Sequence, residues 1–197
     1  MAVNDYWVLK TNYTSAVIKE MPPGAPEAHT LERGEPAAEL FPPESTVRFS
    51  EEFPTRRKVC DFMSNIFGSL IVSAKVKRIL EEQGANNCEF IPLRILDHKG
   101  KVASKEHFLL QVLGHVEAVD MERSQVVMSA ILKERIGNIE HLVLNREAIP
   151  PDAVIFRLSR KRNEFLVKQA TYEALTNQGV TGLKCFQADG WDGMDIY

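Results

Sequence analysis

The sequence predicts an α+β fold: a mixed, largely antiparallel sheet with two main helices in two strand–helix–strand units, preceded by a proline-rich arm. Three observations carry this reading. The apolar run Leu70-Ile71-Val72 leads straight into a helical apolar stripe that Gly84 closes. Part of that pattern returns 95 residues later: Phe165-Leu166-Val167 aligns with Leu70-Ile71-Val72, Leu175 with Leu80, Gln178 with Gln83 and Gly179 with Gly84. Finally, residues 22–43 hold six of the ten prolines, which remove backbone donors and fix φ, so this stretch is neither a regular helix nor a central strand.

In chain order, Tyr6-Trp7-Val8-Leu9 is aromatic and β-branched and reads as a strand. Pro22, Pro23, Pro26, Pro36, Pro42 and Pro43 then make an extended arm whose hydrophobic points, Leu31, Leu40 and Phe41, pin it to the body. Val47-Arg48-Phe49 returns as an edge strand. Ser69-Leu70-Ile71-Val72 is a buried-type strand, and Ser73 caps the following helix, whose stripe is Val76, Ile79 and Leu80. Gly84 supplies the left-handed stop. Residues 89–96 form a strand with Ile91, Leu93 and Ile95 on one face, and Asp97-His98-Lys99-Gly100 is a turn. The next strand, 107–118, has the apolar even face Phe108, Leu110, Val112, Val116 and Ala118. Val126-Val127-Met128 and His141-Leu142-Val143-Leu144 are short strands or packed segments, and Pro150-Pro151 punctuates the chain before Val154-Ile155-Phe156-Arg157-Leu158. No linker divides residues 46–186. The expected organisation is a strand and arm in 1–45, followed by a single domain with a short acidic tail in 46–197.

Composition narrows the function classes. The 197 residues are 44% hydrophobic and 26% charged, with a formal net charge of −3, which fits a soluble globular protein and not a nucleic-acid binder by bulk charge. No run approaches the ~18 apolar residues of a membrane span. Residues 1–19 lack a basic-then-apolar leader pattern, so a cytoplasmic location is expected. Cys60, Cys88 and Cys185 are odd in number and far apart, which argues against a disulfide framework or a cysteine-rich zinc site. Charge is uneven along the chain: residues 27–52 carry −5, residues 53–186 carry +5, and the tail 187–197 carries −3 through Asp189, Asp192 and Asp195. A mildly basic body is flanked by acidic segments, which either complement that body or face a basic partner.

Catalytic signatures are absent: there is no nucleophile elbow, phosphate-binding glycine loop or metalloprotease helix motif. His107 and His115 share a strand face, but eight residues at ~3.3 Å each place them roughly 26 Å apart, too far to hold one ion. The tail aspartates lack the frame of a calcium loop. Arg157, Arg160, Lys161 and Arg162 form the densest basic cluster, in an expected exposed hairpin loop without aromatics for base stacking. No cofactor or metal is expected. Within the tail, Trp191 beside Asp189 and Asp192 is the candidate partner contact, since tryptophan is favoured as an interface anchor and the carboxylates steer encounter. Its alternative role is to cap the domain's own core.

Read together, several blocks resemble a bacterial immunity-protein family of polymorphic toxin systems, typified by a myxobacterial immunity protein. They are Trp7, the stretch Gly68-Ser69-Leu70-Ile71-Val72-Ser73 with its helix, Glu89-Phe90-Ile91-Pro92-Leu93, the 97–101 turn, and residues 107–124 with Val119-Asp120-Met121-Glu122-Arg123-Ser124. Ile155-Phe156-Arg157-Leu158, Phe165-Leu166-Val167 and Thr181-Gly182-Leu183-Lys184-Cys185-Phe186 complete the set. The resemblance covers residues 46–186 with Trp7 as an outlier, and leaves the proline-rich arm and the tail outside. It implies a non-enzymatic protein that binds and neutralises a cognate toxin protein, and it brings no catalytic residue. Two other classes stay open: an enzyme with an unfamiliar site around His107, His115 or a cysteine, and an adaptor or nucleic-acid-binding module using the 157–162 cluster.

Overall fold

Three groups of strands organise the computed structural model, which describes residues 5–194. The first sheet is centred on β1 (Tyr6–Thr11), which runs antiparallel between β11 (Phe165–Lys168) and β12 (Leu183–Gln187), with β10 (Ile155–Arg157) beyond β11. The second has six strands in the order β2 (Val17–Ile18), β4 (Phe62–Asn65), β5 (Leu70–Ser73), β7 (Val102–Val112), β6 (Cys88–Leu96) and β3 (Thr46–Arg48). Its end pairs, β2 with β4 and β3 with β6, are parallel; the rest are antiparallel. A bridge between Ile18 and Phe49 joins its two ends, so the sheet curls back on itself. A separate pair, β8 (Gln125–Met128) and β9 (Ile136–His141), completes the strands. This is an α+β fold with a largely antiparallel strand arrangement.

The helices follow from local chemistry. The short α1 (Ala28–Leu31) lies between β2 and β3. At α2 (Ala74–Glu82), the Ser73 hydroxyl accepts the Val76 amide at 3.4 Å, and Val76, Ile79 and Leu80 are buried, as their spacing predicts. Gly84, at φ +87°, ends it. At α3 (Gln169–Asn177), Leu175 is fully buried and Gly179 stands at φ +61° beyond the last turn. The helix α2 joins β5 to β6 with β7 lying between those strands, and α3 joins β11 to β12 with β1 lying between.

Strand alternation sorts side chains into three cores. Leu9, Phe165 and Val167 of the first sheet meet Phe62, Leu70, Val72, Leu110 and Val112 of the second, together with the α2 stripe and Leu175. The opposite face of the first sheet, with Val8, Phe156 and Leu166, packs against Ile136, Ile139, Leu142, Leu144 and Trp191. The opposite face of the second, with Ile71, Leu109, Ile91, Leu93 and Ile95, is covered by Leu31, Ala37 and Phe41 of the β2–β3 connection.

That connection borrows hydrogen-bond partners from the sheet it covers, as a segment without a strand ladder must. Gln111 donates to the Leu31 and Glu35 carbonyls, both at 3.0 Å, and the Glu89 carboxylate accepts the Ala37 and Ala38 amides at 2.7 and 3.2 Å. Leu31 and Phe41 pack inward as expected, but Leu40, in the 3-10 turn Ala38–Leu40, is 52% exposed.

One strand boundary differs from expectation. β7 begins at Val102 and stops at Val112, because Gly114 turns the chain at φ +74° and its amide donates to Gly34. Val116 and Ala118 therefore lie past the strand, with Val116 bridging Leu158. Of the two readings of 141–144, the packed segment holds: β9 spans Ile136–His141, and Leu142 and Leu144 are buried beyond it, the Leu142 amide being taken by the Trp191 carbonyl.

The two large sheets are clamped at residues 60–62 and 181–182. Asp61 accepts the Ser73 hydroxyl at 2.7 Å, and the Thr181 amide and hydroxyl at 2.8 and 2.9 Å. Burial pushes its carboxyl up, but these bonds and the nearby Lys75 charge outweigh burial and hold it below the usual carboxylate range. Gly182 sits so close to the Phe62 carbonyl that no side chain fits there.

Candidate partner-binding surface

The tail residues singled out by sequence are brought together at the edge of the first sheet. Trp191 is 5% exposed and belongs to the core on that sheet's outer face. Its indole nitrogen donates to the Met194 carbonyl at 3.3 Å, and the Lys10 ammonium lies 5.0 Å from its ring centroid. Lys10 itself pairs with the buried Glu164 at 2.8 Å. Asp189 accepts the Leu144 amide at 2.9 Å and pairs with Arg146. Asp192 accepts the Met194 amide at 3.0 Å. The ring of Trp191 is thus enclosed by its own chain, in the core-capping role, while Asp192 is half-buried and Met194 exposed. Asp195, the third acid of the tail, lies outside the described residues.

His107, His115, Cys88 and Cys185 are tied into the fold. His107 is 4% exposed, with Nε2 2.9 Å from the Cys60 carbonyl and Nδ1 2.7 Å from the Ser104 hydroxyl. His115 lies past the end of β7, with Nε2 2.7 Å from the Glu32 carbonyl. Burial lowers both imidazole pKa values. Among the described residues, no three His, Cys, Asp or Glu side chains gather where an ion could be held. Burial pushes the Cys88 and Cys185 thiols, half-buried against the core, up to about 12, which favours the protonated form at neutral pH.

The basic cluster does lie on a hairpin, between β10 and β11, but Arg157 is not in an exposed loop. It is 3% exposed, donates to the Arg162 carbonyl at 2.6 Å and the Gln111 side chain at 3.3 Å, and stacks 4.6 Å from the Phe165 ring. Burial lowers its pKa to about 10. Arg157 falls on a strand residue facing the core, which the charge pattern alone could not show. Arg160, Lys161 and Arg162 remain at the surface, half-buried.

The surface that sequence reading missed is the β8–β9 hairpin. Val127 is 50% exposed, Met128 37%, Ile131 90% and Leu132 47%. Its loop is bridged by hydrogen bonds: the Ser129 hydroxyl accepts the Ile131 and Leu132 amides at 3.3 and 3.1 Å, and the Ser129 amide donates to the Arg135 carbonyl at 2.8 Å. Beside this tip is a concave site of about 220 Å³ where Leu132, Arg135, Arg160, Lys161, Arg162 and Glu32 converge. A larger groove of about 730 Å³ follows the seam between β2 and β3, spanned by a Lys19–Glu52 ion pair.

Residues 3–189 match the immunity protein family (Imm11). The chain belongs to this family. The match is wider than the resemblance read from sequence: it takes in β1 and the proline-containing β2–β3 connection, and ends at Asp189, before Trp191 and Asp192. That extent agrees with the packing of this immunity-family chain, where β1 is a central strand and the connection covers the second sheet. No curated protein matches the chain. Among the described residues, no helix is long and apolar enough to cross a membrane.

Proposed function

We propose that this protein neutralises a cognate toxin protein by stoichiometric, non-enzymatic binding, in the cytoplasm of the cell that makes both. The observation that carries this reading is the family match over nearly the whole chain. The chemistry of the site candidates supports it: His107 and His115 bind backbone carbonyls, the shifted thiols favour the protonated form, and the surface offers a hydrogen-bonded apolar hairpin rather than a reactive group. Inhibition would come from occluding the toxin's working surface, with a buried area of about 1,200–2,000 Å² for a stable complex.

Two finer points belong to the same reading. Residues 46–197 carry the immunity-like domain, to which residues 1–45 contribute a central strand and a proline-rich arm; β5–α2–β6 and β11–α3–β12 are one strand–helix–strand design used twice, a reading supported by the antiparallel strand each encloses. The tail around Asp189, Trp191 and Asp192 contacts the partner as a fixed acidic edge, with Trp191 as its internal support.

The test is co-expression with the product of the adjacent reading frame. A complex of fixed stoichiometry, measured by light scattering after size exclusion, together with restored growth of cells expressing that product, is expected. Growth restored without a complex would point to enzymatic reversal of damage and overturn the binding reading. Absence of both effects would overturn the cognate assignment.

A further inference from the structure

Resting on the toxin-binding reading, we infer that the hairpin tip at Ile131 and Leu132, with the cationic cleft beside it, is the surface that engages an acidic, apolar-tipped element of the toxin. Two independent features meet there. The first is apolar exposure on a hydrogen-bonded loop. Ile131 is 90% exposed and its neighbour Leu132 47%, yet the loop backbone is held by the Ser129 hydroxyl and by the Ser129–Arg135 backbone bond. Single exposed aliphatic side chains are ordinary, but adjacent exposed apolar groups mark interaction surfaces. A loop already held by hydrogen bonds also loses little conformational freedom on binding.

The second feature is charge. Arg135, Arg160, Lys161 and Arg162 line the cleft, against one carboxylate, Glu32. Arg135 pairs with Glu32 at 2.6 Å, and Arg160 reaches Glu117 at 3.3 Å. Lys161 and Arg162 donate only to backbone carbonyls, of Gly137 at 2.6 Å and Ser159 at 3.3 Å, so among the described residues their charges meet no carboxylate. Lys133, on the loop itself, is exposed and likewise meets no carboxylate among the described residues. The cleft therefore holds surplus positive charge directly beside an aliphatic lip. Its complement is a protein segment with carboxylates flanking an apolar side chain. A nucleic acid would satisfy the charge but not the lip, and the cleft carries no aromatic ring for base stacking.

The test uses the full chain and the product of the adjacent reading frame, with binding followed by calorimetry or biolayer interferometry. Ile131→Asp with Leu132→Asp should weaken binding at least ~30-fold, the loss expected of a central anchor. Lys161→Glu with Arg162→Glu should slow association about tenfold and flatten its salt dependence. Lys105→Glu, a single charge reversal at an exposed position on β7, should leave both unchanged. The altered side chains are at the surface, so unchanged thermal melts will show that folding is intact, and Ile131→Ser provides a milder version of the same loss.

If wild-type protein binds and all variants bind equally, this surface is not the interface, and toxin binding itself stands. If wild-type protein does not bind, both readings fall together. Two other results overturn the assignment of the occupant: a dimer of the free protein that Ile131→Asp dissociates, which would seat a second copy here, or tight binding of a single-stranded RNA 12-mer lost on Lys161→Glu.

Discussion

Gly182→Ala is the sharpest test of how the two sheets are joined. At Gly182 the backbone has φ +78°, and an added Cβ would overlap the Phe62 carbonyl oxygen and stand 2.7 Å from the Cys60 Cβ. The left-handed conformation alone costs a residue with a side chain about 1–2 kcal/mol. The overlap adds to this, because a backbone carbonyl cannot rotate away. Relief requires the 60–62 and 181–182 segments to part, which strains the Phe62 amide to Thr181 carbonyl bond and the Asn12 amide to Gly182 carbonyl bond, both 2.9 Å. Each such bond contributes about 0.5–1.5 kcal/mol net. A total loss of about 2–5 kcal/mol follows, a large part of the stability of a typical domain. Gly84→Ala and Gly179→Ala isolate the conformational share, since both glycines have positive φ but nothing within 4 Å of an added Cβ. The entropy an alanine removes from the unfolded chain is similar at all three sites and cancels between variants. Urea unfolding followed by circular dichroism measures the differences. If Gly182→Ala costs no more than Gly84→Ala, the close crossing of the sheets is wrong.

Other outcomes are equally specific. Trp191→Ala should destabilise the protein by about 3–5 kcal/mol, as expected for a buried aromatic, and this is read from the same unfolding curves; a loss below about 1 kcal/mol would mean the ring is not core. Ser73→Ala removes the cap of α2 and a donor to Asp61, and should cost about 1–2 kcal/mol. Because burial lowers the His107 pKa, the unfolded chain takes up its proton first as pH drops below about 6.5. The stability His107 confers is complete above that pH and is lost on acidification down to its folded pKa. His107→Gln should therefore flatten stability against pH between 7 and 5, and an unchanged slope would count against a buried neutral imidazole. Asp61, whose pKa is held low, acts in a second window: its contribution is present above about pH 4 and disappears below, a step that Asp61→Asn should remove.

Local signals in the chain were reliable where one residue type has one physical job. Ser73 caps, Gly84 and Gly179 turn, and Val76, Ile79 and Leu80 face inward, because each depends only on neighbours a few residues away. What sequence could not show is which strand lies between which. Nothing in Tyr6-Trp7-Val8-Leu9 says that it pairs with strands some 160 and 180 residues later, since strand propensity is silent about partners. Boundary errors had a physical source too. The even-numbered apolar pattern continues through Val116 and Ala118, but Gly114 turns the backbone before them, and both side chains reach the core from loop positions.

The binding surface was hidden for a different reason. Val126-Val127-Met128 lies in a strand, but its residues meet different surroundings: Val126 packs against the core while Val127 and Met128, with Ile131 and Leu132 beyond them, stand in water. Binary pattern separates apolar from polar, not covered from uncovered. The charge signal misled in the opposite sense. Arg157, Arg160, Lys161 and Arg162 look like one solvated cluster, yet Arg157 turns inward to Gln111 and Phe165. The three that stay outside gain significance only because the fold sets them beside Leu132 and Arg135 of a hairpin some 25 residues earlier. Acidic flanks at 27–52 and 187–197 allow two readings, complementing the protein's own basic body or facing a basic partner. Much of that acid is spent internally, with Glu32 on Arg135, Glu52 on Lys19, Glu44 on Arg94 and Asp189 on Arg146. The charge left unmatched beside an apolar lip is positive, and a toxin that fits this face must bring carboxylates to it.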